Sequence, residues 1–129
     1  MIKIKNDIKK ILVVEDEIPY LKILNRELTE RGYKVIEAAN GEKGLEQAKL
    51  ENPDLILLDI KMPKMDGITM LKLLRKDEVC KKTKVIILTN FEPDKKILGG
   101  VVDDKPSYYF IKSDTKLNDL ITKIDKLFT

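Results

Sequence analysis

The sequence predicts a three-layer α/β fold built on one five-stranded parallel sheet, and three observations predict it. Five short apolar runs alternate with five stretches of helical periodicity. Runs one, three and four (Ile11 to Val14, Leu55 to Leu58, Val85 to Leu88) are apolar at every position, as strands covered by helices on both faces must be. Four of the five runs stop at polar residues that a parallel sheet would place along a single edge. A repeated βα unit with right-handed crossovers gives such a sheet, and the strand order expected is 2-1-3-4-5. The 129 residues fit one domain over 1–129, with a core from about 9 to 128.

The elements justify themselves in turn. Strand one, Ile11 to Val14, ends in Glu15-Asp16. Ile18, Leu21, Leu24 and Leu28 then make one face of a helix, and Gly32 stops it. Strand two runs from Lys34 to Ala38; Gly44, Leu45 and Ala48 give the next helix a thinner apolar face, with Pro53 marking the turn after it. Strand three, Leu55 to Leu58, ends in Asp59, and its helix turns Met70, Leu71 and Leu74 inward. Strand four ends in Thr89. The helix after it is weak: Pro93 suits a first turn and Ile97, Leu98, Val101 and Val102 share a side. Gly99-Gly100 costs it roughly 1 kcal/mol per glycine, and Pro106 closes it, so a short or partly unwound helix is expected there. Strand five, Tyr108 to Ile111, ends in Lys112. The last helix carries a stripe of Leu117, Leu120, Ile121, Ile124, Leu127 and Phe128, with Ser113 or Asp114 as its N-cap.

Composition narrows the chemistry. A hydrophobic fraction of 43% with 36% charged residues describes a chain that can bury a core in water. The net charge of +3 comes from 25 basic and 22 acidic residues, too even a balance to argue for nucleic acid. With no histidine there is no imidazole ligand or base, and with Cys80 alone there is neither an internal disulfide nor a cysteine zinc cluster. Cys80 reads as a packing residue near a helix end, and a reducing cytoplasm fits. No apolar run approaches the ~20 residues of a membrane span, and Met1 to Lys10 lacks a signal-peptide core.

The proposed strand order brings the ends of strands one and three together, so Glu15, Asp16 and Asp59 should converge with Thr89 and Lys112 beside them. Two like charges at 4 Å cost on the order of 4 kcal/mol at a surface-like dielectric, so three carboxylates need cationic company. Lys112 supplies one charge, and a hard divalent cation with oxygen ligands, Mg2+, suits the remainder. A carboxylate at such a site is a competent nucleophile for phosphoryl transfer, giving an aspartyl-phosphate.

From about Lys9 to Phe128 the sequence resembles the receiver domain of two-component response regulators, which have the flavodoxin-like (βα)5 fold. The resemblance is carried by Glu15-Asp16, by the stretch Leu57-Leu58-Asp59-Ile60-Lys61-Met62-Pro63-Lys64-Met65-Asp66-Gly67, and by Thr89, Tyr109 and Lys112 in order. It implies that Asp59 is the phosphoacceptor, that Asp16 binds Mg2+ directly with Glu15 acting mainly through water, and that the Lys61 backbone carbonyl completes the protein ligands. It further implies that Lys112 pairs with Asp59 or the phosphoryl oxygens and that Thr89 hydrogen-bonds the phosphoryl group. Tyr109 would follow Thr89 as a rotamer switch, although between Tyr108 and Phe110 it reads equally as packing. Pro63 and Gly67 would shape the loop after strand three, and Asp66 reads as structural.

The donor implied is a phosphohistidine on a histidine kinase or phosphotransfer protein, and the responsive surface is the face of the fourth helix, fifth strand and last helix. These 129 residues show no DNA-binding or enzymatic domain, so output would go through a partner protein, a homodimer through that face, or a further part of a longer protein. The chain is expected to be a signalling switch that assists its own phosphorylation and dephosphorylation, with no direct nucleic-acid or membrane contact.

Three departures from the family pattern stand out: Glu15 in the acidic pair, Ser113 where many members have proline, and the segment from Phe91 to Ser107. Whether the peptide at 112–113 is cis is not legible. Asn90 and Phe91 would crowd an attacking water, which predicts a long-lived aspartyl-phosphate. Rival readings are weaker. An aspartate-nucleophile hydrolase wants Asp-x-Asp after a strand, which neither Asp16 nor Asp59 begins. A flavodoxin-like cofactor carrier would need a phosphate loop where Glu15-Asp16-Glu17 stands, and a degenerate receiver acting only as an interaction module would not need the whole site set.

Overall fold

A computed structural model of the chain describes residues 8–90, 108–112 and 115–129. Five parallel strands form one sheet: β1 (Lys10–Val14), β2 (Lys34–Ala38), β3 (Leu55–Leu58), β4 (Lys84–Thr89) and β5 (Tyr108–Ile111), in the order β2-β1-β3-β4-β5. Four helices are described: α1 (Ile18–Glu30), α2 (Gly41–Glu51), α3 (Gly67–Lys76) and α4 (Leu117–Leu127). None of them is long and apolar enough to cross a membrane. The weak helix expected between β4 and β5, with Phe91, and the 112–113 peptide lie outside the described residues.

Alternation along the central strands divides the core into two layers. Ile11, Val13, Leu55, Leu57, Ile86 and Leu88 pack with Leu21, Leu24 and Leu28 of α1 and Leu120, Ile121 and Ile124 of α4. Leu12, Val14, Ile56, Leu58, Val85 and Ile87 face the other way, onto Ala48 of α2 and Met70, Leu71 and Leu74 of α3. Neighbouring positions on one strand are therefore buried under different helices, which is why these runs show no polar alternation. Cys80 is fully buried in the second layer.

Local signals work as their chemistry requires. Gly32 follows α1 with φ +96°, a conformation glycine adopts without steric cost. Asn40 caps α2 by accepting from the Lys43 amide at 2.8 Å, and Asp66 caps α3 by accepting from Thr69 at 2.8 Å. Two expectations are corrected. Ile18 is 49% exposed and does not join the buried face of α1, because it is the first residue of the helix and the buried face begins one turn later at Leu21. The N-cap position of α4 belongs to Lys116, with no side-chain cap bond, and not to Ser113 or Asp114. A capping side chain reaches the first free amides only from the position next to the helix, and α4 starts at Leu117.

Candidate functional site

The strand order places the C-terminal ends of β1, β3, β4 and β5 side by side, with β1 and β3 adjacent where the connection reverses. β1, β3 and β5 lead straight into Glu15, Asp59 and Lys112, and Thr89 is the last residue of β4. Glu15, Asp59 and Thr89 are buried, three polar groups among the ends of apolar strands. The Glu15 amide donates to Ala38 of β2 at 3.0 Å and the Asp59 amide to Val14 of β1 at 3.1 Å, so both backbones remain tied to the sheet where the strands stop.

The loop after β3 is held close to Asp59. A Cβ on Gly67 would stand 2.0 Å from the Asp59 carbonyl oxygen, so only glycine admits this approach, and the Gly67 amide donates to Ile60 at 2.7 Å. Met65 donates to the Pro63 carbonyl at 2.8 Å, tightening the same loop. The side chain of Lys61 in it is exposed.

Lys112 is the centre of the charge arrangement. Its ammonium hydrogen-bonds Glu15, lies 3.2 Å from Glu17 and 3.6 Å from Asp59, and sits 4.5 Å from the centroid of the Tyr20 ring. Asp59 also accepts from the Ile60 amide at 2.8 Å, and Glu15 from the Glu17 amide at 3.1 Å. Oxygens of Glu15, Glu17 and Asp59 all lie within 4.8 Å of one another.

This crowding moves the acid equilibria. Burial pushes Glu15 up to about 7; the hydrogen bonds from Lys112 and the Glu17 amide oppose the shift, and the Asp59 charge adds to it. Burial likewise raises Asp59, against the pull of Lys112, the Ile60 amide and hydrogen bonding with Glu15 and Thr89. Burial works to lower Lys112, but the hydrogen bond to Glu15 and the Asp59 and Glu15 charges outweigh it, so the ammonium is held charged.

The residues singled out in the sequence are thus brought together in large part: Glu15, Asp59 and Lys112 are in contact, and Thr89 is buried beside them. Asp16 is half-buried next to them but outside the three-carboxylate group; among the described residues its carboxylate has no hydrogen bond or ion pair. Tyr109 is half-buried against the α2–α3 side of the core. Glu17 and Tyr20 were missed. A signal for Glu17 existed: in extended backbone residues i and i+2 point the same way, so Glu15 and Glu17 share a side that Asp16 does not. The donor set, hard carboxylate oxygens gathered at one edge, fits an oxygen-loving divalent cation such as Mg2+.

A family profile described as Response regulator receiver domain matches residues 11–125. The chain belongs to the response-regulator receiver family. It is 43% identical over 91 residues to the alkaline phosphatase synthesis transcriptional regulatory protein PhoP of Bacillus subtilis, covering 70% of this chain and 38% of that protein. It is 41% identical over 83 residues to the sporulation initiation phosphotransferase F of the same species, covering 64% of this chain and 65% of the relative. The chain therefore spans between about a third and two-thirds of the length of such relatives. Among solved structures, a receiver domain from Methanospirillum hungatei superposes with a TM-score of 0.86 at 28% identity, covering 94% of each chain. Response regulator TrrA of Thermotoga maritima, in complex with Mg(2+)-BeF, superposes with a TM-score of 0.80 at 32% identity, covering 95% of this chain and all of that one. Receiver domains are switches of two-component signalling, and their acidic pocket binds Mg2+.

Proposed function

We propose that the chain is a working phosphoacceptor switch, one domain over 1–129, that takes a phosphoryl group on Asp59 from a phosphohistidine of a histidine kinase or phosphotransfer protein. The observation that carries this reading is the buried Asp59 carboxylate held at the strand ends 3.6 Å from the Lys112 ammonium, with Glu15 on the same cation. An ordinary capping aspartate needs neither a buried lysine nor a second buried acid.

Mg2+ would be held by Asp16, Asp59 and the Lys61 carbonyl, with Glu15 through water, and would supply charge neutralisation for the phosphoryl oxygens. The chain's own groups do the rest. The Ile60 amide on Asp59 Oδ1 orients the carboxylate, leaving the other oxygen to attack phosphorus. Lys112, already charged, meets the negative oxygens of the arriving group. Thr89 donates its hydroxyl to the phosphoryl group and draws its loop inward, and Tyr109, paired in register with Ile87, follows as the switch. A phosphate group brings about −1.5 to −2 of charge, and its arrival redistributes the ion pairs of Lys112.

Output then goes through the face of the β4–β5 connection, β5 and α4, to a partner protein, to a second copy or to a further part of a longer protein, in the cytoplasm and without direct contact to nucleic acid or membrane. The test is intact-mass analysis after incubation with Mg2+ and acetyl phosphate. The wild type is expected to gain one phosphoryl group and Asp59→Asn none; equal labelling of both overturns the assignment.

A further inference from the structure

We propose that Glu17 is a positioning residue that shares the Lys112 ammonium with Glu15 and Asp59, and so restrains phosphoryl arrival at Asp59. The proposal rests on the phosphoacceptor reading of Asp59 and adds to it a carboxylate that governs the same site.

Glu17 reaches Lys112 at 3.2 Å, nearer than Asp59 does at 3.6 Å. The same Glu17 oxygen, Oε1, also accepts from the Asn90 side-chain amide at 3.3 Å. One carboxylate oxygen at the start of α1 thus ties together the residues that follow β4 and β5. Glu17 occupies the N-cap position of α1 but makes no side-chain cap bond, so its carboxylate is committed to the site and not to the helix. The three acids also differ in exposure. The Glu15 and Asp59 side chains are 3% and 7% exposed and that of Glu17 is 53% exposed. Of the three, Glu17 alone is solvated enough to let go of Lys112 without stranding a buried charge.

Two consequences follow for the transfer. While Glu17 holds Lys112, less of that cation is available to the oxygens of an arriving phosphoryl group. The Glu17 charge, within 4.8 Å of the Asp59 carboxylate, also repels an anionic donor. With acetyl phosphate, a bond forms between phosphorus and an Asp59 oxygen as the bond from phosphorus to the acetyl oxygen breaks, and the electron pair leaves with acetate. Release of Glu17 moves Lys112 wholly onto Glu15 and the acquired phosphoryl oxygens.

The experiment compares wild type, Glu17→Gln, Glu17→Ala and Glu78→Gln, the last removing the same charge from a surface pair with Lys81. Initial rates of Asp59 phosphorylation are measured by intact mass with Mg2+ and subsaturating acetyl phosphate. Both Glu17 variants are expected to be faster by about threefold to tenfold, and Glu78→Gln to match wild type. The Lys112 ammonium resonance, recorded by NMR without donor or cation, is expected to shift in Glu17→Gln and not in Glu78→Gln. A phosphorylated wild type with unaccelerated Glu17 variants, acceleration in Glu17→Ala alone, or an unmoved Lys112 resonance each overturns the proposal while leaving Asp59 as acceptor. A wild type that takes no phosphoryl group overturns the acceptor reading and this proposal with it.

Discussion

At the scale of single residues, Glu15 and Asp59 lie under the sheet's C-terminal edge with one buried ammonium between them, and the balance is electrically costly. Burial raises both carboxyls, Glu15 from its ordinary 4.5 to about 7. A raised folded-state value means that the native chain holds the proton more tightly than the unfolded one. The associated stability is present below pH 4.5 and is lost as pH rises towards 7. At 1.36 kcal/mol per unit, the loss for Glu15 is at most about 3 kcal/mol. In metal-free buffer, urea unfolding is expected to show wild-type stability falling over this window and a shallower fall in Glu15→Gln; parallel profiles would refute the assignment to Glu15. The same reasoning explains why Lys112 is not interchangeable with a neutral residue: its removal leaves two buried acids facing each other.

The helices show at the scale of elements what periodicity can and cannot decide. Ile18, Leu21, Leu24 and Leu28 share one helical face, and only the last three have a sheet beneath them. Leu24→Ala removes a buried side chain from the core layer that α1 shares with the sheet and α4 and should cost about 2–5 kcal/mol. Ile18→Ser, on the exposed first turn, should change stability by about 0.5 kcal/mol or less. Denaturant midpoints of the two variants measure this difference, and comparable losses would contradict the packing described. The last helix makes the complementary point: its stripe was legible from Leu117 to Phe128, but its cap was not. A stripe marks where burial begins, whereas a cap depends on how the chain enters the helix.

For the molecule as a whole, Cys80 reports on cohesion. It is buried in the layer under α2 and α3, and burial, with the neighbouring Asp77, pushes its thiol up from 9.0 to about 11. The stability associated with the protonated thiol is present below pH 9.0 and lost as pH rises through about 11. Since both core layers share the same five strands, no part of this layer is expected to open on its own. At pH 8 a thiol reagent should label the unfolded chain at once and the native chain only at the rate of global unfolding. Native labelling that outpaces unfolding would show a local opening at the α3–β4 connection.

The residue pattern was enough for the strands β2, β3 and β5 to the residue, the sheet order, the Gly32 stop and the convergence of Glu15, Asp59, Thr89 and Lys112. The elements follow from apolar runs and glycine geometry, and the convergence follows from topology, since a parallel sheet sends every strand end to one edge. It took the packed fold to show that Ile18 is left outside, that Asp16 stands apart from the carboxylate group, and that Glu17 enters it. The shared side of Glu15 and Glu17 was a local signal, but which carboxylate meets an ammonium 95 positions away depends on how the ends of β1 and β5 pack together.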